Sequence, residues 1–257
     1  TSGAYKREIY MDLKRPENKG ALIGKIKTLA NDIHNFLIAL VDYNHHKAAL
    51  MYYWLRNYLR YIKQEETFDP KYSPQLEPGH IVKVDFGFGI GNEFGGLHYA
   101  LVLAPSNYKS GIVTVVPLRS FKPEKETITT LHKTNIYLGN ELYITLNNVF
   151  GRLNAECARD IEALKAEIIE GMTSDDLKKS MQRLEKAQKT LDHYTAVSEE
   201  IIRLKEGTVA IVSQIRAVSK IRIQDPKNKY DALYNIKISR KATNQIRTAI
   251  KEIYNIK

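Results

Sequence analysis

The sequence predicts an α+β protein in which a small antiparallel β-barrel or meander is flanked and interrupted by helices. Three observations predict it. Apolar residues recur at alternating steps of four and three through residues 22–43. Short β-branched or alternating runs, punctuated by Gly and Pro, fill 79–139 and return at 207–238. Helical spacing resumes between them, from 141 to 205.

Residues 1–78 read as a helical extension. Leu22, Ile26, Leu29, Ile33, Phe36, Leu40 and Tyr43 share one face, with Pro16 upstream and Pro70 downstream as boundaries. The second half carries Tyr52, Tyr53, Trp54, Tyr58 and Tyr61; at helical spacing these read as core or interface before they read as a base-stacking platform. Strands are expected at 80–86, 97–103, 112–118 and 134–138. Gly87, Gly89, Gly91, Gly95 and Gly96 mark the first connection, and Pro105-Ser106-Asn107 the second. Such close spacing suits a meander or barrel and not βαβ units.

Leu142, Leu146, Val149, Leu153, Cys157, Ile161, Leu164 and Ile168 form the next stripe, which Gly171 stops. Thr173-x-x-Asp176 then opens a helix carrying Leu177, Met181, Leu184, Leu191 and Ile202. The pair reads as an antiparallel hairpin inserted over 141–205. Strands follow at 208–214 and 218–223, with 233–238 as a last candidate. A closing helix from about 241 to 256 turns Ile246, Ile250 and Ile253 inward and Arg240, Asn244, Arg247 and Lys251 outward.

The net charge of +10 is unevenly placed. Residues 203–257 hold thirteen Lys/Arg against four Asp/Glu, whereas 156–200 hold seven against eleven. That asymmetry is the footprint expected of a polyanion-binding protein, although a soluble basic surface reads the same way. The longest apolar runs near the N-terminus, 36–41 and 48–55, are too short to span a bilayer, and residues 1–20 lack the apolar segment of a secretory signal. One cysteine, Cys157, precludes an internal disulfide and fits a reducing cytoplasm. No Cys/His cluster has metal-ligand spacing, so neither a metal nor another cofactor is expected.

Pro78-Gly79-His80-Ile81-Val82-Lys83-Val84-Asp85-Phe86, followed by Gly91-Asn92-Glu93-Phe94-Gly95-Gly96-Leu97-His98-Tyr99-Ala100-Leu101-Val102-Leu103, resembles the MazF/PemK toxins. Thr114-Val115-Val116-Pro117-Leu118-Arg119-Ser120 is similar to their third strand. Gly207-Thr208-Val209-Ala210-Ile211-Val212-Ser213-Gln214-Ile215-Arg216-Ala217-Val218-Ser219-Lys220 is similar to their late strand and turn. The resemblance implies an SH3-like barrel of the CcdB/MazF type over 79–140 and 206–257. The N-terminal helix and the hairpin of 141–205 lie outside it. It also implies a homodimer, an antitoxin partner, a bacterial or phage cytoplasm, and metal-independent cleavage of single-stranded RNA by its own 2′-OH.

The chain departs from the family where the chemistry is carried. His98 stands where the family has an arginine and Tyr99 where it has a proline; Arg119 replaces a hydroxyl residue, with Ser120 next. Ser213 and Ile211 replace an acidic residue and an arginine of the late strand. Asn92, Glu93, Gln214 and Arg216 match the family's loop and turn. A rearranged catalytic set remains chemically sufficient: His98 as general base or acid, Arg119 as the cation on the phosphorane, and Ser120 as a hydrogen-bond partner of a phosphate oxygen. Asn92, Glu93, Gln214, Arg216 and Lys220 are the expected RNA contacts.

Each of these residues has a plainer reading. His98 shares a strand face with Ala100 and Val102 and is compatible with a satisfied, half-buried imidazole. Arg119 reads equally as a surface cation, and Glu93 as a local acceptor for loop N–H groups. His80 and His132 read as structural or surface residues. Two other functions stay open: a nucleic-acid-binding or gyrase-inhibiting protein on the same fold without nuclease chemistry, and an assembly protein whose helices are primary.

Overall fold

The computed structural model describes residues 12–168 and 173–255. They form two compact units, Thr1–Arg60 and Tyr61–Lys257. The division between the two units falls at Arg60/Tyr61, and residues from Tyr61 onward bond to the sheet. The Tyr61 hydroxyl donates to Asp85 at 2.7 Å, and Leu76 bridges to Ser106.

The first unit is one long helix, α1 (Lys19–Glu65), which belongs to it through Arg60. Asn44 leaves helical geometry (φ −153°, ψ 70°), and its side chain accepts the Lys47 N–H at 3.0 Å. It acts as a new N-cap in mid-helix, so α1 is two helical stretches joined by one residue. Of the aromatics expected in a core or interface, Tyr61 is buried, Trp54 is half-buried, and Tyr52, Tyr53 and Tyr58 are exposed. No helix among the described residues is long and apolar enough to cross a membrane.

The second unit carries a seven-stranded antiparallel sheet: β1 (Ile81–Asp85), β2 (Leu97–Val102), β3 (Ile112–Ser120), β4 (Asn135–Tyr137), β5 (Thr208–Ile211), β6 (Arg216–Ser219) and β7 (Ile223–Asp225). The order is β4-β5-β3-β2-β1-β7, with β6 also on β3. β3 holds the sheet together. Its start pairs with β6, its middle with β2 and its end with β5. Among the described residues no pairing joins β4 to β7, so the ladder is open where a closed barrel was expected. The expected strand at 233–238 contributes only the bridge between Lys237 and His80. The expected 218–223 strand is cut by a turn at Lys220–Arg222, where the Ser219 hydroxyl accepts the Ile221 N–H.

Alternation along the strands separates two cores. One face gathers Val82, Val84, Ala100, Val102, Val113, Val115, Val218 and Ile223, with Phe94 against them. The opposite face sets Ile81, Tyr99, Leu101, Val116 and Leu118 against helices. Those helices are α2 (Glu141–Glu167), α3 (Ser174–Ile202) and α4 (Arg240–Ile253). Thr173 caps α3 as its spacing predicts, accepting the Asp176 N–H, while the Gly171 stop lies outside the described residues. Ser239 caps α4 and donates its hydroxyl to Glu141 in the first turn of α2, so the two helix starts are tied together.

The hairpin is therefore more than an appendage. Leu142, Leu146 and Phe150 of α2 and Val197 and Ile201 of α3 complete the core of the sheet. Lys83 of β1 reaches Glu200 of α3 at 2.6 Å. Leu146 is fully buried. Leu146→Ala is expected to lower stability by about 2–5 kcal/mol, read as a reduced urea midpoint at unchanged slope; an unchanged midpoint would show that the hairpin root carries no part of the core.

Candidate functional site

β1 runs into a loop whose conformation only glycine tolerates at key points. Gly87, Gly91 and Gly96 have φ of 82°, 61° and 85°. The Gly96 N–H donates to the Gly87 carbonyl at 2.6 Å, closing the loop on itself. A Cβ at Gly95 would stand 2.6 Å from that same carbonyl oxygen. Asp85 anchors the loop base: buried, it accepts the Gly87 N–H at 2.9 Å and the Tyr61 hydroxyl, and its own carbonyl accepts the Arg222 Nε–H at 2.8 Å. Gln224 adds a bond to Tyr61 at 3.0 Å.

The loop's far side is fastened to the β5–β6 connection. The Phe94 N–H donates to Gln214 Oε1 at 3.2 Å, and Gln214 Nε2 donates to the Asn92 carbonyl at 3.5 Å. Arg216 donates to the same Gln214 oxygen at 3.0 Å and lies 5.3 Å over the Phe86 ring. Phe94 stacks edge-on against Phe86 and lies 4.5 Å from the His98 ring. Asn92, Phe94, Gln214 and Arg216 thus converge, and the Phe94 ring links them to His98. Glu93 is exposed, and its carboxylate accepts the Ile90 N–H at 3.1 Å, a local loop bond.

His98 is half-buried. Burial is the main force holding its pKa below the usual imidazole value, and the Arg203 cation adds to it; Glu200 opposes them. The neutral ring is therefore the dominant form at neutral pH, able to accept a proton.

The other expected residues are placed differently. Arg119 and Ser120 lie where β3 pairs with β5, opposite Val209 and Thr208. Both arms of the Arg119 guanidinium are taken by Glu126, at 2.5 and 2.7 Å, and that cation holds the Glu126 pKa down. The charges that bear on His98 are Arg203, Glu200 and Lys83, and Arg119 is not one of them. Lys220 is buried, and its ammonium donates to the Asn107 carbonyl at 2.9 Å. That bond ties the turn after β6 to the loop before β3. His80 is likewise internal, its Nδ1 accepting the Glu77 N–H.

Sequence reading passed over the Tyr61–Asp85–Gln224 anchor. The Asp-x-Gly spacing of Asp85 and Gly87 signals a side-chain-to-backbone turn, but nothing local points to Tyr61. His132, read from the sequence as structural or surface, pairs with the Thr134 hydroxyl at 2.8 Å; that hydroxyl donates to Ser213 at 3.3 Å. A cavity of about 350 Å³ lined by Phe68, Leu76, Ile221 and Ile223, among others, shares no lining residue with the glycine loop. Among the described residues no group of three or more His, Cys, Asp and Glu is placed to hold a metal ion. No protein-family model and no curated protein matches the chain.

One carboxyl near this end of the sheet is strongly perturbed. Asp225 of β7 is opposite Lys83 in register, yet burial pushes its pKa up to about 6, against the Leu233 N–H bond that favours the charged form. The folded state holds this proton more tightly than the unfolded state. Its stabilising contribution is therefore complete below pH 3.8 and is lost as pH rises through about 6. Asp225→Asn keeps the acceptor for Leu233 without the charge. It should raise stability by about 2 kcal/mol at pH 7.5 and by little at pH 3.5, measured by denaturant titration at both; an equal gain at the two values would contradict the assignment.

Proposed function

We propose that this protein is a toxin-like endoribonuclease of the MazF/PemK kind, cleaving single-stranded RNA without a metal. The observation that carries the reading is the convergence of the glycine loop with the Gln214–Arg216 turn, 120 residues away, around His98. The reading is supported by a titratable imidazole and a guanidinium, both half-buried, on either side of the Phe94 and Phe86 rings. The three-way pairing of β3 supports the finer reading of the sheet as an SH3-like barrel. The basic closing portion suits RNA as substrate and an acidic antitoxin segment as partner.

In this reaction His98 takes the proton from the ribose 2′-OH as that oxygen attacks phosphorus. The P–O5′ bond breaks, and the proton is returned to the departing oxygen, leaving a 2′,3′-cyclic phosphate and a 5′-OH. Arg216 supplies the fixed positive charge for the phosphorane, the role that the sequence alone assigned to Arg119. Asn92 and Gln214 hold the loop that presents the backbone.

A second reading is favoured by the Arg119–Glu126 pair, which neutralises the cation next to the third strand. It is a surface that binds nucleic acid without cutting it. The two separate on a purified-protein assay with single-stranded RNA in EDTA. The nuclease reading expects cleavage that a 2′-deoxy substitution at the cut site blocks and that His98→Ala lowers at least ~100-fold. Its acid limb should fall below pH 6.5, since the lowered His98 pKa leaves the base form intact at neutrality. Arg119→Ala should cost stability but leave the rate within about two-fold. Salt-sensitive binding with no cleavage by the wild type would establish the second reading.

A further inference from the structure

The first stretch of α1 carries an apolar seam that is open to solvent from Ile26 to Phe36 and at Tyr43, partly covered at Leu22 and fully covered at Leu40. Ile26, Leu29, Ile33 and Phe36 are 54%, 58%, 38% and 45% exposed, and Tyr43 is 71% exposed; of the seven seam positions only Leu40 is fully covered. Isolated exposed apolar residues need no explanation, but a continuous row of them marks an interaction surface.

The spacing identifies what fits it. From Leu22 to Tyr43 the steps alternate four and three without a break, a 3.5-residue period held for three heptads. A helix with that period keeps one face on a supercoiled partner helix. Ile26, Ile33 and Leu40 fall at the a positions, and Leu22, Leu29, Phe36 and Tyr43 at the d positions. β-branched residues at a with leucine at d favour two parallel strands over higher assemblies.

Charge points the same way. Residues 19–43 carry three lysines and two aspartates in a chain of net charge +10. This segment is close to neutral, so it neither repels a copy of itself nor attracts an acidic partner or a nucleic acid. The straight stretch ends at the Asn44 cap, which sets the length of the contact.

We infer that two copies of this chain pair in parallel through residues 22–43 of α1, a dimer contact separate from the sheet. The proposal is independent of the nuclease reading.

Sedimentation of the full-length protein at ~50 µM tests it. The wild type should run at twice the monomer mass, and Ile26→Asp/Ile33→Asp as a monomer with unchanged helical circular dichroism. Leu29→Cys should form a covalent pair across the seam under mild oxidation by oxidised glutathione, whereas Leu29→Ser should not. A monomeric wild type would overturn the proposal and leave the seam to a different protein. An aspartate variant that stays dimeric would overturn it too, by placing the contact elsewhere. Absence of the cysteine cross-link in a dimeric protein would rule out the parallel pairing.

Discussion

The side-chain amide of Gln214 has two ends, and both are committed. Its oxygen accepts from the Phe94 backbone and from Arg216, and its nitrogen donates to the Asn92 carbonyl. That amide supplies the hydrogen bonds that run directly between the far side of the glycine loop and the β5–β6 connection. With it, a loop that glycine makes mobile in principle becomes a fixed shelf beside His98. Hydrogen bonds of this type contribute only about 1 kcal/mol each, so their importance lies in geometry more than in stability.

The rest of the second unit serves that geometry. β3 pairs in turn with β6, β2 and β5 and so joins strands that precede the hairpin to strands that follow it. The hairpin root and α4 fill one face of the sheet, leaving the strand-only cluster, with Phe94 at its margin, on the other. Glu200 near the end of α3 also sets the electrostatics, since it pairs with both Lys83 and Arg203, two of the cations acting on His98. The insertion thus bears on the site through charge as well as packing.

Much of the fold can be read from periodicity. The 4-3 stripe of α1, the alternating runs of β1 to β3 and the Thr173 cap depend on neighbours within a few residues, where local physics is decisive. The site is less readable. His98, Gln214 and Arg216 stand out through the glycine loop and turn motifs, yet the partner of Arg119 is seven residues on, across a turn, and Lys220 is buried by a loop more than a hundred residues upstream. Charge type is visible in a sequence, whereas whether a charge is offered or already paired is a property of tertiary contacts. The strand expected at 233–238 failed for a related reason: alternation alone does not supply a neighbouring strand with a free edge.

On the proposed function, the glycine loop and the Gln214–Arg216 turn form one RNA-holding surface beside His98. Amide and imidazole NMR signals recorded while a single-stranded RNA, 2′-deoxy-substituted to prevent cleavage, is added test it most directly. The account predicts saturable shifts confined largely to residues 91–98 and 214–216, with the His98 ring among them. Binding that moves other signals and leaves these in place would contradict it.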